Sequence, residues 1–223
     1  MINFCTRNFS DTVALSAFSM AVCLLSLTTT QAHAADEKPS FFITSVGVGD
    51  GGNLGGLEGA DAHCNQLAEA AGISGKVWRA YLSTFGEDAV NARDRIGTGP
   101  WHNAKGVLVA SDVDHLHSED TGVGKQASLT EKGEVVNGLL DNPNMHDILT
   151  GSLPDGTANS EANLTCSNWT SNGKGLALVG HHDRIGGGVR PKQWNSAHVS
   201  WGCSQKKLQS SGGNALFYCF AVN

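Results

Sequence analysis

The sequence lacks the charge pattern of a nucleic-acid-binding protein. Its 15 basic residues are outnumbered by 21 acidic ones, which gives a formal net charge of -6, and no basic stripe is visible. Proteins that bind phosphate backbones or anionic membrane surfaces carry clustered lysine and arginine. The composition therefore argues against nucleic acid or an anionic membrane as a partner.

The common motifs of nucleotide binding and hydrolysis are also missing. The glycine-rich loop at 47–56 has neither a Walker lysine nor a correctly spaced G-x-G-x-x-G. The sequence contains no H-E-x-x-H helix and no serine in a nucleophile elbow. We therefore expect tight turns at 47–56 and a protein that is not an enzyme.

A long apolar segment occurs near the N-terminus, at residues 13–27, and it is shorter than the ~20 residues that cross a bilayer. It follows Arg7 and precedes Ala32-His33-Ala34, an A-x-A cleavage pattern typical of a secretory signal peptide. We predict a signal peptide at 1–34, a short linker at 35–40 and one domain at 41–223. The mature chain is expected to be secreted or periplasmic, without a membrane span.

Cysteine usage agrees with export. Processing would leave Cys64, Cys166, Cys203 and Cys219, an even set whose spacing fits no zinc finger and predicts two disulfides. Three pairings are possible. Because Cys219 lies in a predicted core strand and Cys64 in the best predicted helix, we favour Cys64 with Cys219 and Cys166 with Cys203.

Hydrophobic periodicity predicts few regular elements. A helix with apolar residues at helical spacing covers 57–71, and the apolar run at 215–222 indicates a buried closing strand. Further predicted elements are strands at 41–45, 77–83, 107–110 and 176–179, a helical turn at 89–95 and a hairpin at 127–137. Apart from 176–179, residues 142–191 are almost all turn formers, and so long a loop region is usually functional.

Several sequence blocks resemble the C-type lectin-like fold, in particular its endostatin-like branch. They are Gly59-Ala-Asp-Ala-His-Cys64, Trp78-Arg-Ala-Tyr-Leu-Ser83, Gly151-Ser-Leu-Pro-Asp-Gly156 and Cys166-Ser-Asn-Trp169, followed by Cys203 and Cys219. Small exported bacterial proteins labelled lectins are similar at Ala92-Arg-Asp-Arg-Ile-Gly97, Asn144-Met-His-Asp-Ile-Leu-Thr-Gly151 and Val179-Gly-His-His-Asp-Arg184. The resemblance covers roughly 40–223. It implies an α+β domain with small antiparallel sheets, one main helix, a long loop region and disulfides joining first to fourth and second to third cysteine.

The calcium site of such lectins is only partly matched. The family uses a Glu-Pro-Asn or Gln-Pro-Asp loop and a Trp-Asn-Asp strand, where this chain has Leu153-Pro154-Asp155 and Trp194-Asn195-Ser196. Leu153 offers no side-chain oxygen, whereas calcium takes six to eight oxygen ligands. We expect no cofactor, with Asp155 and Asn195 as the calcium candidates.

Histidine and carboxylate side chains form a second candidate site. His181-His182-Asp183-Arg184, with His146-Asp147 upstream, has the residue types of a zinc site or of a general base with its orienting carboxylate. A structural role in fixing loop backbones is the alternative, and we favour it. The sequence at 114–117 has alternating ligand-type residues that would share one side of a strand.

Tryptophans could supply a sugar-stacking surface. Of Trp169, Trp194 and Trp201, we expect at most one to be exposed, because lectin-like folds bury tryptophans beneath their loops.

These observations favour an exported, non-enzymatic, lectin-like binding protein whose partner is a glycan or another cell-envelope component. The candidate contact residues are Asp155, Asn168, Trp169, His181, His182, Asp183, Arg184, Trp194 and Asn195. One alternative is a structural or protein–protein module of the envelope. The other is a metal-dependent hydrolase built on His181, His182 and Asp183.

Overall fold

The computed structural model describes residues 38–186 and 192–223. The predicted signal peptide at 1–34 and the first linker residues at 35–37 lie outside the described residues. All described residues belong to one compact unit. None of the helices that the structure describes is long and apolar enough to cross a membrane.

The chain forms short strands and few helices. In order, the elements are β1 (Phe41–Ile43), α1 (Gly56–Ala70), β2 (Trp78–Ala80), a 3-10 turn (Ala92–Asp94), β3 (Trp101–His102), β4 (Leu108–Ala110), α2 (Val113–Leu116), β5 (Asp147–Leu149), α3 (Cys166–Trp169), β6 (Leu178–His181), β7 (His198–Val199), α4 (Gln205–Ser211) and β8 (Gly213–Ala221). The mixed α+β class predicted from the sequence is therefore confirmed.

The main sheet is built around β8. Its strand order is β1-β8-β5-β6-β7, with β2 also paired to β8, while β3 and β4 form a separate two-stranded sheet. Among the strands that the structure describes, all pairs are antiparallel except β5 with β8. The expectation of small antiparallel sheets is wrong at that pair. The long connection from β5 to β8 makes the parallel pairing possible, since parallel strands need a crossover.

Both faces of β8 are buried, which explains its continuous apolar sequence. Alternate side chains point to opposite faces of a strand. Ala215, Phe217 and Cys219 therefore join the core that packs against α1, while Leu216 and Tyr218 join an aromatic core on the other face.

The helix α1 carries the first disulfide cysteine on its buried face. Ala60, Cys64 and Ala68 recur every fourth residue and are buried, as expected for an amphipathic helix. The helix ends before Gly72, whose φ of 79° is left-handed, a conformation that glycine adopts without steric cost.

Both disulfides have the pairing predicted from the sequence. Cys64 is bonded to Cys219, which ties α1 to the centre of β8. Cys166 is bonded to Cys203, which ties α3 to the segment before α4. Such bridges are typical of an oxidising, extracytoplasmic compartment.

One local prediction differs from the structure, and one short element has an unusual backbone. Residues 114–117 lie in and just after the short helix α2, not on a strand, because the Asp112 side chain accepts a hydrogen bond from the His115 amide and caps the turn. The element α3 is a left-handed turn. All four of its residues have positive φ, between 47° and 65°, which costs roughly 1–2 kcal/mol for each L-residue.

Candidate metal centre

Three histidines and one aspartate converge at one end of β5, β6 and β7. Asp147 begins β5 and pairs directly with His181 at the end of β6. His198 begins β7 and pairs with Val179, so its side chain shares a sheet face with His181. His146 precedes β5, and its ring stacks on that of His181 with centroids 3.9 Å apart.

The four side chains present their ligand atoms to one small space. The Nε2 atoms of His146, His181 and His198 each lie 3.2 Å from Oδ1 of Asp147. All four ligand atoms lie within 4.8 Å of one another. Neither oxygen of Asp147 accepts a hydrogen bond of good geometry from any residue that the structure describes. The short contacts therefore reflect convergence on a shared point and not direct hydrogen bonding.

The opposite ring nitrogens fix the orientation of the three imidazoles. Nδ1 of His146 lies 3.3 Å from Oδ1 of Asp183, Nδ1 of His181 lies 2.9 Å from the Ile185 carbonyl oxygen, and Nδ1 of His198 lies 3.1 Å from that of Val199. Because each partner is an acceptor, each Nδ1 carries the hydrogen. The Nε2 lone pairs then point inward, as in metal-bound histidines whose second nitrogen donates to an outer group.

The spacing agrees with a tetrahedral metal site. Zinc binds histidine nitrogen and carboxylate oxygen at about 2.0–2.1 Å, so ligand atoms at tetrahedral angles lie about 3.3 Å apart. The observed separations of 3.2 Å are close to that value. Three imidazoles and a carboxylate are a donor set that suits zinc.

The charge state of the site favours a cation. Burial would raise the pKa of the Asp147 carboxyl, but the neighbouring His181, His198 and His146 lower it, and the net pKa lies below the ordinary value. The neighbouring Asp147 carboxylate raises the pKa of His198, although burial opposes the change. The carboxylate is thus ionised at neutral pH, as metal binding requires.

Solvent reaches the centre from one side. The side chains of His146, Asp147 and His181 are at most 5% exposed, whereas that of His198 is 37% exposed. An ion would therefore enter along β7.

The block His181 to Arg184, predicted to act as one cluster, divides in the structure. His181 belongs to the centre and Asp183 orients His146 from behind it. His182 is buried, and its Nε2 lies 3.0 Å from the Asn137 carbonyl oxygen. The Arg184 guanidinium donates to the Glu119 carbonyl oxygen. The last two residues therefore fix neighbouring backbone segments.

The two calcium candidates differ in burial and in their hydrogen-bond partners. Asn195 is buried, and its Nδ2 donates to the carbonyl oxygens of Leu153 and Pro154 and to the Tyr81 hydroxyl. Its amide thereby holds the loop in place. Asp155 accepts hydrogen bonds from the amide and hydroxyl of Thr157.

The remaining contact candidates are mostly enclosed by protein. Trp169 and Trp194 are at most 2% exposed, whereas Trp201 is 64% exposed, which confirms that at most one of the three is exposed. The Asn168 side chain accepts from the Phe85 amide and donates to the Phe85 carbonyl oxygen. The ring faces of Trp169 and Trp194 are therefore covered.

Sequence reasoning missed one of the four candidate ligands. His146, Asp147 and His181 stand in blocks that carry chemistry-bearing residues side by side, whereas His198 stands alone between Ala197 and Val199. No local motif marks it, because its role depends on the pairing of β7 with β6.

Comparison with known proteins gives no family for this chain. No family model matches the sequence, and a search of curated proteins finds no match.

Proposed function

We propose that the protein binds a zinc ion through His146, Asp147, His181 and His198. The observation that carries this proposal is the placement of three Nε2 atoms at 3.2 Å around one carboxylate oxygen, with every Nδ1 facing an acceptor. The ion would join β5, β6 and β7 at their ends. Its binding free energy would then add to that of folding.

The proposed role of the zinc is binding and stabilisation, without catalysis. Structural zinc sites have four protein ligands, whereas catalytic sites keep one position open for water or substrate. Here three histidines and one carboxylate complete a tetrahedral set. The hydrolase built on His181, His182 and Asp183 has less support, because the His182 ring faces Asn137.

Zinc titration of the chelator-stripped protein, against a competing chromophoric chelator, tests the proposal. We expect one ion per chain and, with cobalt, the visible absorption of a tetrahedral site. His198→Ala should weaken zinc binding by more than about 100-fold, since loss of a ligand exceeds the effect of an outer-sphere change. The control is His102→Ala, which removes a half-buried histidine on β3 outside the centre.

Two results would reject the metal centre. One is a wild-type protein that takes up no zinc. The other is equal zinc affinity in wild type and His198→Ala.

A second function is also proposed, on a separate observation. Trp201 is 64% exposed, whereas the other four tryptophans are at most 2% exposed. An uncovered indole face is a surface on which sugar rings stack. It supports the role expected from the sequence, namely a secreted or periplasmic protein of C-type lectin-like fold that binds a carbohydrate or envelope glycan without catalysis.

A further inference from the structure

A groove of about 330 Å³ lies beside the proposed zinc centre. One wall is the segment that leads into β5, and the other is formed by α4 and the start of β8. The described lining residues are Asn142, Pro143, Asn144, Met145, Gln209, Gly213 and Asn214. The volume is at the lower end of the range for small-molecule sites.

The groove is polar but carries no charge among its described lining residues. Four of the seven are amides, and Pro143 and Met145 add apolar surface. An amide side chain offers both donors and acceptors. This combination suits a ligand with many neutral hydroxyl groups and some C–H surface, and it does not suit an ionic ligand.

Much of the hydrogen-bonding capacity of these amides is unused within the described residues. Oδ1 of Asn214 accepts hydrogen bonds from Nε2 of Gln209 and of Gln205. Nδ2 of Asn214 donates no hydrogen bond to any of the described residues. Oδ1 of Asn144 accepts from the His146 amide. The second polar atom of each of these amides is therefore available to a ligand.

The zinc centre would hold the groove in shape. Asn144 is bonded to the backbone of the ligand His146. A Cβ at Gly213 would lie 3.0 Å from Cβ of the proposed ligand Asp147, so the wall formed by β8 packs directly on the proposed metal site. Both walls are thus continuous with residues that an ion would fix.

We propose that this groove binds a neutral saccharide, with Asn142, Asn144, Gln209 and Asn214 as the hydroxyl-binding residues. The inference rests on the second proposed function, to which it gives a location and a ligand class. It requires no calcium, because the amides bond the hydroxyl groups directly.

The test uses the zinc-loaded exported protein on an array of neutral glycans that end in glucose, galactose, mannose or N-acetylglucosamine, with sialylated and sulfated glycans as the acidic set. Wild type should bind at least one neutral glycan. Gln209→Ala and Asn142→Ala should each weaken that binding about tenfold, the effect of losing one hydrogen bond. Both side chains are exposed, and alanine is favourable in α4, so Gln209→Ala should fold normally.

The matched control is Gln126→Ala, which removes an exposed amide outside the groove and should leave binding unchanged. Glycan binding that is lost in Trp201→Ala but unchanged in both groove variants would overturn the groove and keep the second function. Binding to acidic glycans alone would overturn the proposal that the groove binds a neutral saccharide. No binding to any glycan would overturn both that proposal and the second proposed function.

Discussion

Three groups converge on the carboxylate of Asp183, a residue behind the proposed metal ligands. Its Oδ1 receives His146 Nδ1 at 3.3 Å and the Ile185 amide at 3.1 Å, and its Oδ2 receives the Leu139 amide at 2.7 Å. Burial alone would raise the pKa of this carboxyl. The hydrogen bonds lower the pKa by more than burial raises it, so the net pKa is well below the ordinary value. Asp183 is thus a charged support for one ligand.

Replacement of Asp183 by asparagine should weaken zinc binding by about 10- to 100-fold, the range for outer-sphere partners of metal ligands. The change keeps the shape of the side chain but removes its charge. It also places the NH2 group of asparagine opposite a backbone N–H group that now donates to the carboxylate. Isothermal titration with zinc measures the effect. Asp155→Asn, a change in an exposed carboxylate, is the control, and equal affinity in the two variants would contradict the role of Asp183.

His117 illustrates a histidine that the fold keeps neutral. Its Nε2 lies 2.7 Å from the Tyr81 hydroxyl and its Nδ1 lies 2.7 Å from the Val113 carbonyl oxygen. Burial lowers the pKa of His117 below 6.5, and the charge of Arg93 adds to this decrease. The hydrogen bond to the Val113 carbonyl and the charges of Asp155 and Asp114 oppose the decrease but do not cancel it.

The free energy of unfolding should therefore fall in mild acid. Unfolded His117 takes up a proton near its ordinary pKa of 6.5, and the folded protein does so only at lower pH. The contribution of neutral His117 to the stability of the folded state is complete above pH 6.5 and is lost as the pH decreases below 6.5. Urea unfolding at about pH 7.5 and about pH 5 should show a smaller decrease in His117→Gln than in wild type. A decrease of the same size would show that His117 does not contribute.

The strands differ in how well they can be predicted from their own residues. The apolar run of β8 predicts a buried strand because its polarity pattern is local. By contrast, β5 and β7 are short and begin with Asp147 and His198, and aspartate is depleted in strands. Their ionisable groups are placed by contacts between strands, so the candidate metal centre could be predicted only in part.

Gly180 allows β6 to approach the segment that leads into β7. A Cβ at this position would lie 1.8 Å from the Trp194 carbonyl oxygen and 2.5 Å from Cα of Asn195. Both are backbone atoms, which cannot move aside without shifting the strand. The glycine therefore sets the distance between the strands that carry His181 and His198.

Gly180→Ala should lower the free energy of unfolding by about 3 kcal/mol, the upper range for overpacking in a core. Zinc affinity should decrease with it, because β6 and β7 would separate. Chemical denaturation and zinc titration measure the two effects. Gly173→Ala, where an added Cβ meets nothing within 4 Å, should change neither. An unaltered metal site in Gly180→Ala would show that the strand spacing is not critical.

The two disulfides close loops of very different length across the molecule. Cys64 and Cys219 are 155 residues apart, and Cys166 and Cys203 are 37 apart. In the chain-entropy model these bridges contribute roughly 5 and roughly 4 kcal/mol. Their sum is comparable to the whole stability of a typical domain, about 5–15 kcal/mol. The four cysteines alone allow three pairings, and the predicted helix and closing strand that carry Cys64 and Cys219 favour the one that the structure shows.

Replacement of both Cys64 and Cys219 by alanine should reduce the free energy of unfolding more than the same change at Cys166 and Cys203. The longer loop loses more constraint on the unfolded chain. Urea unfolding monitored by circular dichroism compares the two double variants with wild type. A fully reduced protein that keeps its native unfolding midpoint would refute the dependence on the bridges.

The nested cysteine pairs set an order of events during synthesis. A chain is made from its N-terminus, so during export Cys64 and Cys166 would enter an oxidising compartment before Cys203 and Cys219. An oxidant that joins thiols as they emerge would link Cys64 to Cys166, a pair absent from the folded protein. Native protein then forms only by delayed oxidation or by thiolate attack on the early bridge. The yield of folded protein should consequently depend on how late the thiols are oxidised and on how readily an early bridge is isomerised.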